Sequence, residues 1–310
     1  MASEVTFRYY SKAQGDAYAT GRPGYSEALF KMIVDYHTST GGQLNTVVDV
    51  GCGTGQATQD LSHYFTNTIG LDPSDGMISA ARTSAGYANS AIRFEVSAAE
   101  VLGVDLESPI AAESVDLITA ATAAHWFDMT RFWRSAARVL KPGGTAALWA
   151  RTGMTVDPIR TPNGMAIKTL VGDVFGSELR PYDRLGNTLT RDLYIDLPLP
   201  WTLEVPVEEF DKESFFRKEW NKDKQDMDDD GMGTTRLVTP EEFENLLGTG
   251  SPVTRWREAH LDKVGTENDI VRRVRRQIER LLHEAGVKPG EEILTGQMAI
   301  VLLMIKKKTQ

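Results

Sequence analysis

Val47-Val48-Asp49-Val50-Gly51-Cys52-Gly53-Thr54-Gly55 is an apolar, β-branched run that breaks into three alternating glycines, and a helical pattern follows from Gln56. Thr46 to Val50 therefore reads as a buried strand and Gln56 to Phe65 as a helix. Because glycine has no Cβ, such a loop brings main-chain N–H groups against a ligand at a helix start, where a polar or negatively charged group is favoured. The spacing is G-x-G-x-G, whereas the dinucleotide fingerprint is G-x-G-x-x-G. Seventeen residues beyond Gly55, Asp72 closes the next apolar run. That is the window in which an acid of a β-α-β unit accepts hydrogen bonds from ribose hydroxyls. A nucleoside-containing ligand follows, and the dehydrogenase form of the loop is absent. No tyrosine has a lysine four residues later, so the Tyr/Lys pair of one large dehydrogenase class is absent as well.

Outward from this loop, short apolar runs alternate with longer periodic segments, the pattern of a parallel sheet covered by helices. Strands are predicted at Thr46 to Val50, Thr68 to Leu71, Ile92 to Val96, Val115 to Ala120 and Thr145 to Ala150. Helices are predicted at Ser26 to Tyr36, Gln56 to Phe65, Asp75 to Ala85 and Met129 to Leu140, the last stopped by Lys141-Pro142-Gly143-Gly144. Beyond Arg151 the alternation ceases. The stretch to about residue 237, rich in Pro, Asp, Arg and aromatics, reads as a cap over the sheet. Helices resume at Pro240 to Leu247 and Asp269 to Ala285, and Met298 to Ile305 reads as a final buried strand.

Composition narrows the function classes. The chain has 310 residues and a formal net charge of -9, which disfavours nucleic acid and anionic lipid, since both require a basic face. The run Arg272, Arg273, Arg275, Arg276 lies in an amphipathic pattern with Ile270, Val274, Ile278, Leu281 and Leu282 opposite, so it reads as a solvated helix face. The opening MASEVTFRYY lacks a basic segment followed by an apolar run, and no stretch reaches the roughly 20 apolar residues of a membrane helix. A cytoplasmic location is expected. Cys52 is the single cysteine. His37, His63, His125, His260 and His283 show no ligand spacing, so neither a disulfide nor a metal site is expected.

The motif VDVGCGTG resembles motif I of class I S-adenosylmethionine-dependent methyltransferases, and GLDPS resembles their second-strand motif. Phe94 to Glu100 stands where that family carries an adenine-contacting turn. VDLITAATAAHWFD followed by VLKPGG is similar to its fourth strand, next helix and turn. YATGRPGYS and AHWFD look most like the trans-aconitate methyltransferase branch and its fungal relatives. The likeness is strong from about residue 18 to 150 and loose thereafter. It implies a single Rossmann-like α/β domain with a mainly parallel seven-stranded sheet, helices on both faces and a cap. Within it, residues 1–40 would form an N-terminal lid, 41–150 the cofactor core, 151–297 the substrate cap and helices, and 298–310 the last strand and tail.

The resemblance implies S-adenosylmethionine as cofactor, with Asp49 and the backbone of Gly51, Gly53 and Gly55 at its methionine part and Asp72 at its ribose. It puts Ala99 and Glu100 at the adenine and Thr119 to Thr122, with Ala121, at the sulfonium side. Ala98 departs from the acidic residue common in that turn, so an adenine contact would come from backbone N–H groups or Glu100. Tyr18 and Arg22 would belong to a lid, unless Arg22-Pro23-Gly24 is only a turn. Asp49 alternatively braces the glycine loop.

A small-molecule acceptor is expected, with a carboxylate ahead of a hydroxyl or amine. A carboxylate needs no base. It needs a positive clamp, for which Arg151 and Arg255 are the leading candidates beside Arg160, Arg217 and Arg257, each of which could instead be structural. A hydroxyl or amine would use a base, and His125 is best placed, with Trp126 as a pocket wall; alternatively both pack under the cap. A second reading is a methyltransferase-like protein that binds the cofactor without transferring a methyl group.

Overall fold

The structure is a computed structural model that describes residues 15, 24–83, 92–221, 232 and 234–309. Its first strands follow the predicted alternation: β1 (Thr46–Val50), β2 (Asn67–Asp72), β3 (Arg93–Val96), β4 (Val115–Ala121) and β5 (Leu140–Arg151). They pair in parallel with β1 and β4 central, and β10 (Ile300–Lys307) adds antiparallel to β5. The edge strand β7 (Phe210–Trp220) pairs antiparallel with β10, completing a seven-stranded sheet of order β3-β2-β1-β4-β5-β10-β7.

Helices cover both faces. On one, α1 (Glu27–Ser39) and α2 (Gln56–Ser62) bury Leu29, Phe30, Ile33, Ala57 and Leu61 against Val47, Leu117, Trp149 and Leu302. On the other, α4 (Met129–Val139) packs Phe132 and Trp133 over Val48, Ile118 and Leu148, while α3 (Asp75–Thr83) sets Ile78 and Ala81 beside Phe94. Burying a side chain of this size is worth about 1.5–3 kcal/mol, so these two clusters dominate the stability of the sheet. Ser26 and Asp128 cap α1 and α4 by accepting from Leu29 and Arg131 N–H.

A further apolar cluster, built outside the seven-stranded sheet, surrounds a small sheet of order β6-β9-β8: β6 (Thr155–Val156), β9 (Leu294–Gln297) and β8 (Thr235–Val238). It joins α5 (Gly164–Asp173), α7 (Pro240–Gly248), α8 (Ser251–Ala259) and α9 (Ile270–Glu284). The short α6 (Leu185–Arg191) precedes Leu193 and Tyr194, which pack into the main core. The basic run on α9 is met by acids: Arg272 and Arg275 by Glu244, Arg273 by Glu178 and Arg276 by Glu267.

Two local expectations need correction. Lys141-Pro142-Gly143-Gly144 lies inside β5 as an irregularity, with Val115 opposite Leu140 and the register restored at Leu117 opposite Thr145. The segment 210–220, read as cap, is the sheet's edge strand. Its sequence FDKESFFRKEW alternates poorly because it is mostly half-buried and its register shifts opposite Met304 to Lys306.

Candidate functional site

The carboxyl ends of the parallel strands carry the site, as the topology of open α/β sheets directs. At the end of β1, Gly51, Gly53 and Gly55 all take left-handed backbone, with φ of 67°, 55° and 87°. This is the physical reason for the alternating spacing: each is a position at which an L side chain is strained. Asp72 locks the loop from the end of β2. Its Oδ2 accepts from Gly53 N–H at 2.9 Å and its Oδ1 from Ser74 N–H at 2.8 Å, while the residue stays 8% exposed.

A cavity of about 800 Å³ opens beside this loop, in the range of small-molecule and cofactor sites. Gly51, Gly53, Asp72, Met77, Ala99 and Glu100 line one end. Thr122, His125, Trp126 and Arg151 line the middle, and Met154, Val171, Phe175, Leu246, Leu247 and Met298 line the part beneath the second cluster. A Cβ built on Gly53 meets no atom of the described residues within 4 Å, so the backbone there faces open space that a side chain would fill. Glu100 Oε1 accepts from Asp128 N–H at 2.9 Å, which ties the turn after β3 to the cap of α4. A nucleoside fits these groups: a braced carboxylate, a cradle without side chains, and the turn at Ala99 and Glu100.

The predicted residues divide clearly. Gly51, Gly53, Asp72, Ala99, Glu100, His125, Trp126 and Arg151 reach the cavity wall. Asp49, Gly55, Ala121 and Arg255 do not. Gly55 is the left-handed N-cap of α2. Ala121 ends β4 one residue before Thr122, which does line the wall and has φ 53°. Arg255 is buried, donating to Tyr182 O, Asn187 Oδ1 and Ser251 Oγ. Arg217, Arg257 and Arg160 are likewise engaged, with Glu219, Asp269 and Asp157. Of the five arginines considered for a clamp, Arg151 alone lines the cavity. Its guanidinium lies 4.2 Å from the Tyr25 ring centroid and donates to Gly24 O at 2.9 Å, and Tyr25 Oη meets Thr122 Oγ1 at 3.0 Å. Tyr18 and Arg22 lie outside the described residues.

Asp49 is fully buried beneath the loop, accepting from Thr58 Oγ1 at 2.7 Å and Thr119 Oγ1 at 2.8 Å. These are the contacts of a brace between β1, β4 and α2. Burial pushes its carboxyl up from 3.8 to about 6, against the two hydroxyl hydrogen bonds, with the nearby Asp72 charge adding to the rise. Because the folded state holds this proton more tightly than the unfolded state, its stabilising contribution is present below about pH 4 and lost as pH rises through about 6. A shift of that size is worth roughly 3 kcal/mol. Asp49→Asn removes it, so the stability difference between variant and parent should move by roughly 3 kcal/mol in the variant's favour from pH ~4 to pH ~7. Urea unfolding at both pH values checks this; parallel behaviour of the two proteins would count against it.

Trp126 packs against Gly186, where an added Cβ would come within 2.4 Å of Trp126 Cζ3 and 2.9 Å of His125 O. Gly186→Ala should therefore displace the tryptophan wall and cost about 1–3 kcal/mol of stability, the usual size of an overpacked contact. Thermal unfolding and Trp fluorescence measure both effects, and an unshifted midpoint would refute the contact. Sequence reasoning missed Tyr194, whose hydroxyl meets His125 Nδ1 at 2.8 Å, and the apolar wall from Val171, Phe175, Leu246 and Leu247. Both come from segments without a clean period.

Comparison with known proteins agrees with this geometry. Residues 48–148 match the family described as a methyltransferase domain. A probable S-adenosylmethionine-dependent methyltransferase of Saccharomyces cerevisiae, CRG1, is 39% identical over 134 residues, covering 43% of this chain and 43% of that protein. Methyltransferase pgmE of Aspergillus terreus is 32% identical over 143 residues, covering 45% and 42%. The matched segments thus span less than half of each relative. A solved structure of a candidate type II methyltransferase from Anaeromyxobacter dehalogenans superposes with a TM-score of 0.58, covering 93% of this chain and 98% of that one at 24% identity. The sheet order and the glycine loop define a Rossmann-like α/β fold, and the matched segment 48–148 is similar to a methyltransferase domain.

Proposed function

We propose that this protein transfers a methyl group from S-adenosylmethionine to a small molecule, and that the accepting atom is an oxygen, with a carboxylate favoured. The observation that carries the reading is the continuity of one cavity from Gly53 and Asp72 to His125, Trp126 and Arg151. Cofactor end and acceptor end share a single cavity. When bound, S-adenosylmethionine supplies a methyl group on a sulfonium, which is already an activated leaving group.

The chain's own residues then bind, orient and exclude water. Gly51 and Gly53 offer backbone without side chains, Asp72 accepts hydrogen bonds, and the turn at Ala99 and Glu100 forms the far wall. Arg151 is a cation on the acceptor side, where Lys168 and Arg191 also reach the wall. The aromatic and apolar wall beyond it suits an organic acceptor. The organic-acid preference rests on the likeness to the trans-aconitate branch together with Arg151. In this reading the parts of residues 151–297 outside the edge strand 210–220 act as the substrate cap.

Among the described residues, no helix is long and apolar enough to cross a membrane and no cluster of His, Cys, Asp or Glu could hold a metal ion. In this reading the acceptor is methylated by alignment with the sulfonium, held by the groups named above. Incubation with S-adenosylmethionine and a panel of small carboxylic acids, phenols and amines tests the acceptor class. The expected result is a mass gain of one methyl group, as the ester, on a carboxylic acid. Methylation confined to amines would reject the oxygen assignment.

A further inference from the structure

His125 is the one imidazole on the cavity wall, and its suitability as a base depends on which ring nitrogen carries the proton. His125 Nδ1 lies 2.8 Å from Tyr194 Oη. Tyr194 is 1% exposed and burial pushes its phenol far above its ordinary range, so the hydroxyl keeps its hydrogen. His125 sits in the one-turn 3-10 helix Ala124–Trp126, whose N-cap Ala123 supplies no side-chain acceptor. Trp126 and Phe127 N–H bond back to Ala123 and Ala124 carbonyls. The two earlier N–H groups, of Ala124 and His125, have no carbonyl within the turn to meet, as at any helix start.

Among the described residues His125 Nδ1 is the hydrogen-bond partner that faces the buried Tyr194 hydroxyl, so the hydroxyl's one hydrogen goes to Nδ1. The segment carrying it is held for this purpose. Leu193 and Tyr194 are both left-handed, with φ of 52° and 59°, a strained arrangement for two successive side-chain-bearing residues. Tyr194 N–H bonds to Leu189 O at 2.8 Å, and Arg217 reaches across from β7 to Leu193 O at 2.6 Å and Tyr194 O at 3.5 Å.

We infer that Tyr194 is a positioning residue that fixes His125 as the Nε2–H tautomer, making His125 a hydrogen-bond donor to an acceptor oxygen that arrives already ionised, and not a general base. The inference rests on the methyl-transfer reading for its substrate class, a carboxylate or similarly acidic oxygen acid. Such an anion gives its lone pair to the methyl carbon, the S–C electron pair returns to sulfur, and no proton is released. Any hydrogen bond that His125 makes into the cavity runs through Nε2, since Nδ1 is engaged.

Nitrogen NMR of the protein labelled at histidine tests the tautomer without any need for turnover. The expected spectrum of His125, assigned by its loss in His125→Ala, shows a protonated Nε2 and an unprotonated Nδ1, and Tyr194→Phe should shift the Nδ1 resonance. A protonated Nδ1 with a bare Nε2 would overturn the inference, whether or not the protein transfers methyl groups. On any acceptor found, His125→Gln, which keeps an N–H donor near Nε2 but cannot take a proton, should retain at least tenfold more kcat than His125→Ala. Equal losses in the two variants would restore His125 as the base and reject the donor role.

Discussion

Gly53→Val should abolish cofactor binding, lowering affinity by more than about 100-fold, while leaving a folded protein. The loop backbone at Gly53 faces the cavity, and a Cβ there touches nothing among the described residues within 4 Å, so the fold has room for a side chain that the ligand does not. The left-handed φ of 55° adds a local penalty of about 1–3 kcal/mol for a branched residue, which a domain with this much buried core can absorb. Gly51 offers the contrast, since its Cβ would approach Ala123 Cβ to 2.6 Å, so Gly51→Val should disturb folding as well. Titration calorimetry with S-adenosylhomocysteine, paired with circular dichroism, separates the two. A folded Gly53→Val protein that binds normally would mean that the glycines serve the turn alone.

Asp72→Ala should weaken the same ligand by roughly 10- to 150-fold, the equivalent of losing one hydrogen bond to a charged acceptor at about 1.5–3 kcal/mol. Asp72 also holds Gly53 N–H and Ser74 N–H, so the alanine variant loses loop order together with a ligand contact. Asp72→Asn keeps one carbonyl oxygen and the residue's shape, and should fall between the parent and the alanine variant. Unchanged affinity in Asp72→Ala would remove this carboxylate from the ribose.

The parts of this site that could be read in the sequence are those whose geometry is local. Three glycines at alternate positions after a β-branched run need left-handed backbone, and the structure gives all three that conformation. Asp72 was legible because the length of a β-α-β unit fixes where the second strand ends. Asp49 was half legible: a carboxylate within a buried strand must be satisfied, but only the register of β1 on β4 reveals that Thr119 stands opposite it. The arginines were not legible. Arg151 and Arg255 look alike in sequence, yet one ends β5 at the cavity and the other, on α8, ties Tyr182, Asn187 and Ser251 together. The apolar wall was invisible for the same reason, since Val171, Phe175 and Leu247 meet only through long-range packing. Tyr194 follows a short helix in a segment with no period, and its role appears only once it is seen against His125.

The central claim is that one cavity holds both the methyl donor and an oxygen acceptor. It is tested most directly by supplying S-adenosylmethionine with an isotopically labelled methyl group together with the acceptor panel and following label and S-adenosylhomocysteine in the same reaction. The account predicts labelled methyl on an oxygen of a small organic acceptor, one S-adenosylhomocysteine formed per methyl transferred, and loss of both products in Gly53→Val. Tight cofactor binding with no label leaving S-adenosylmethionine on any acceptor would contradict it.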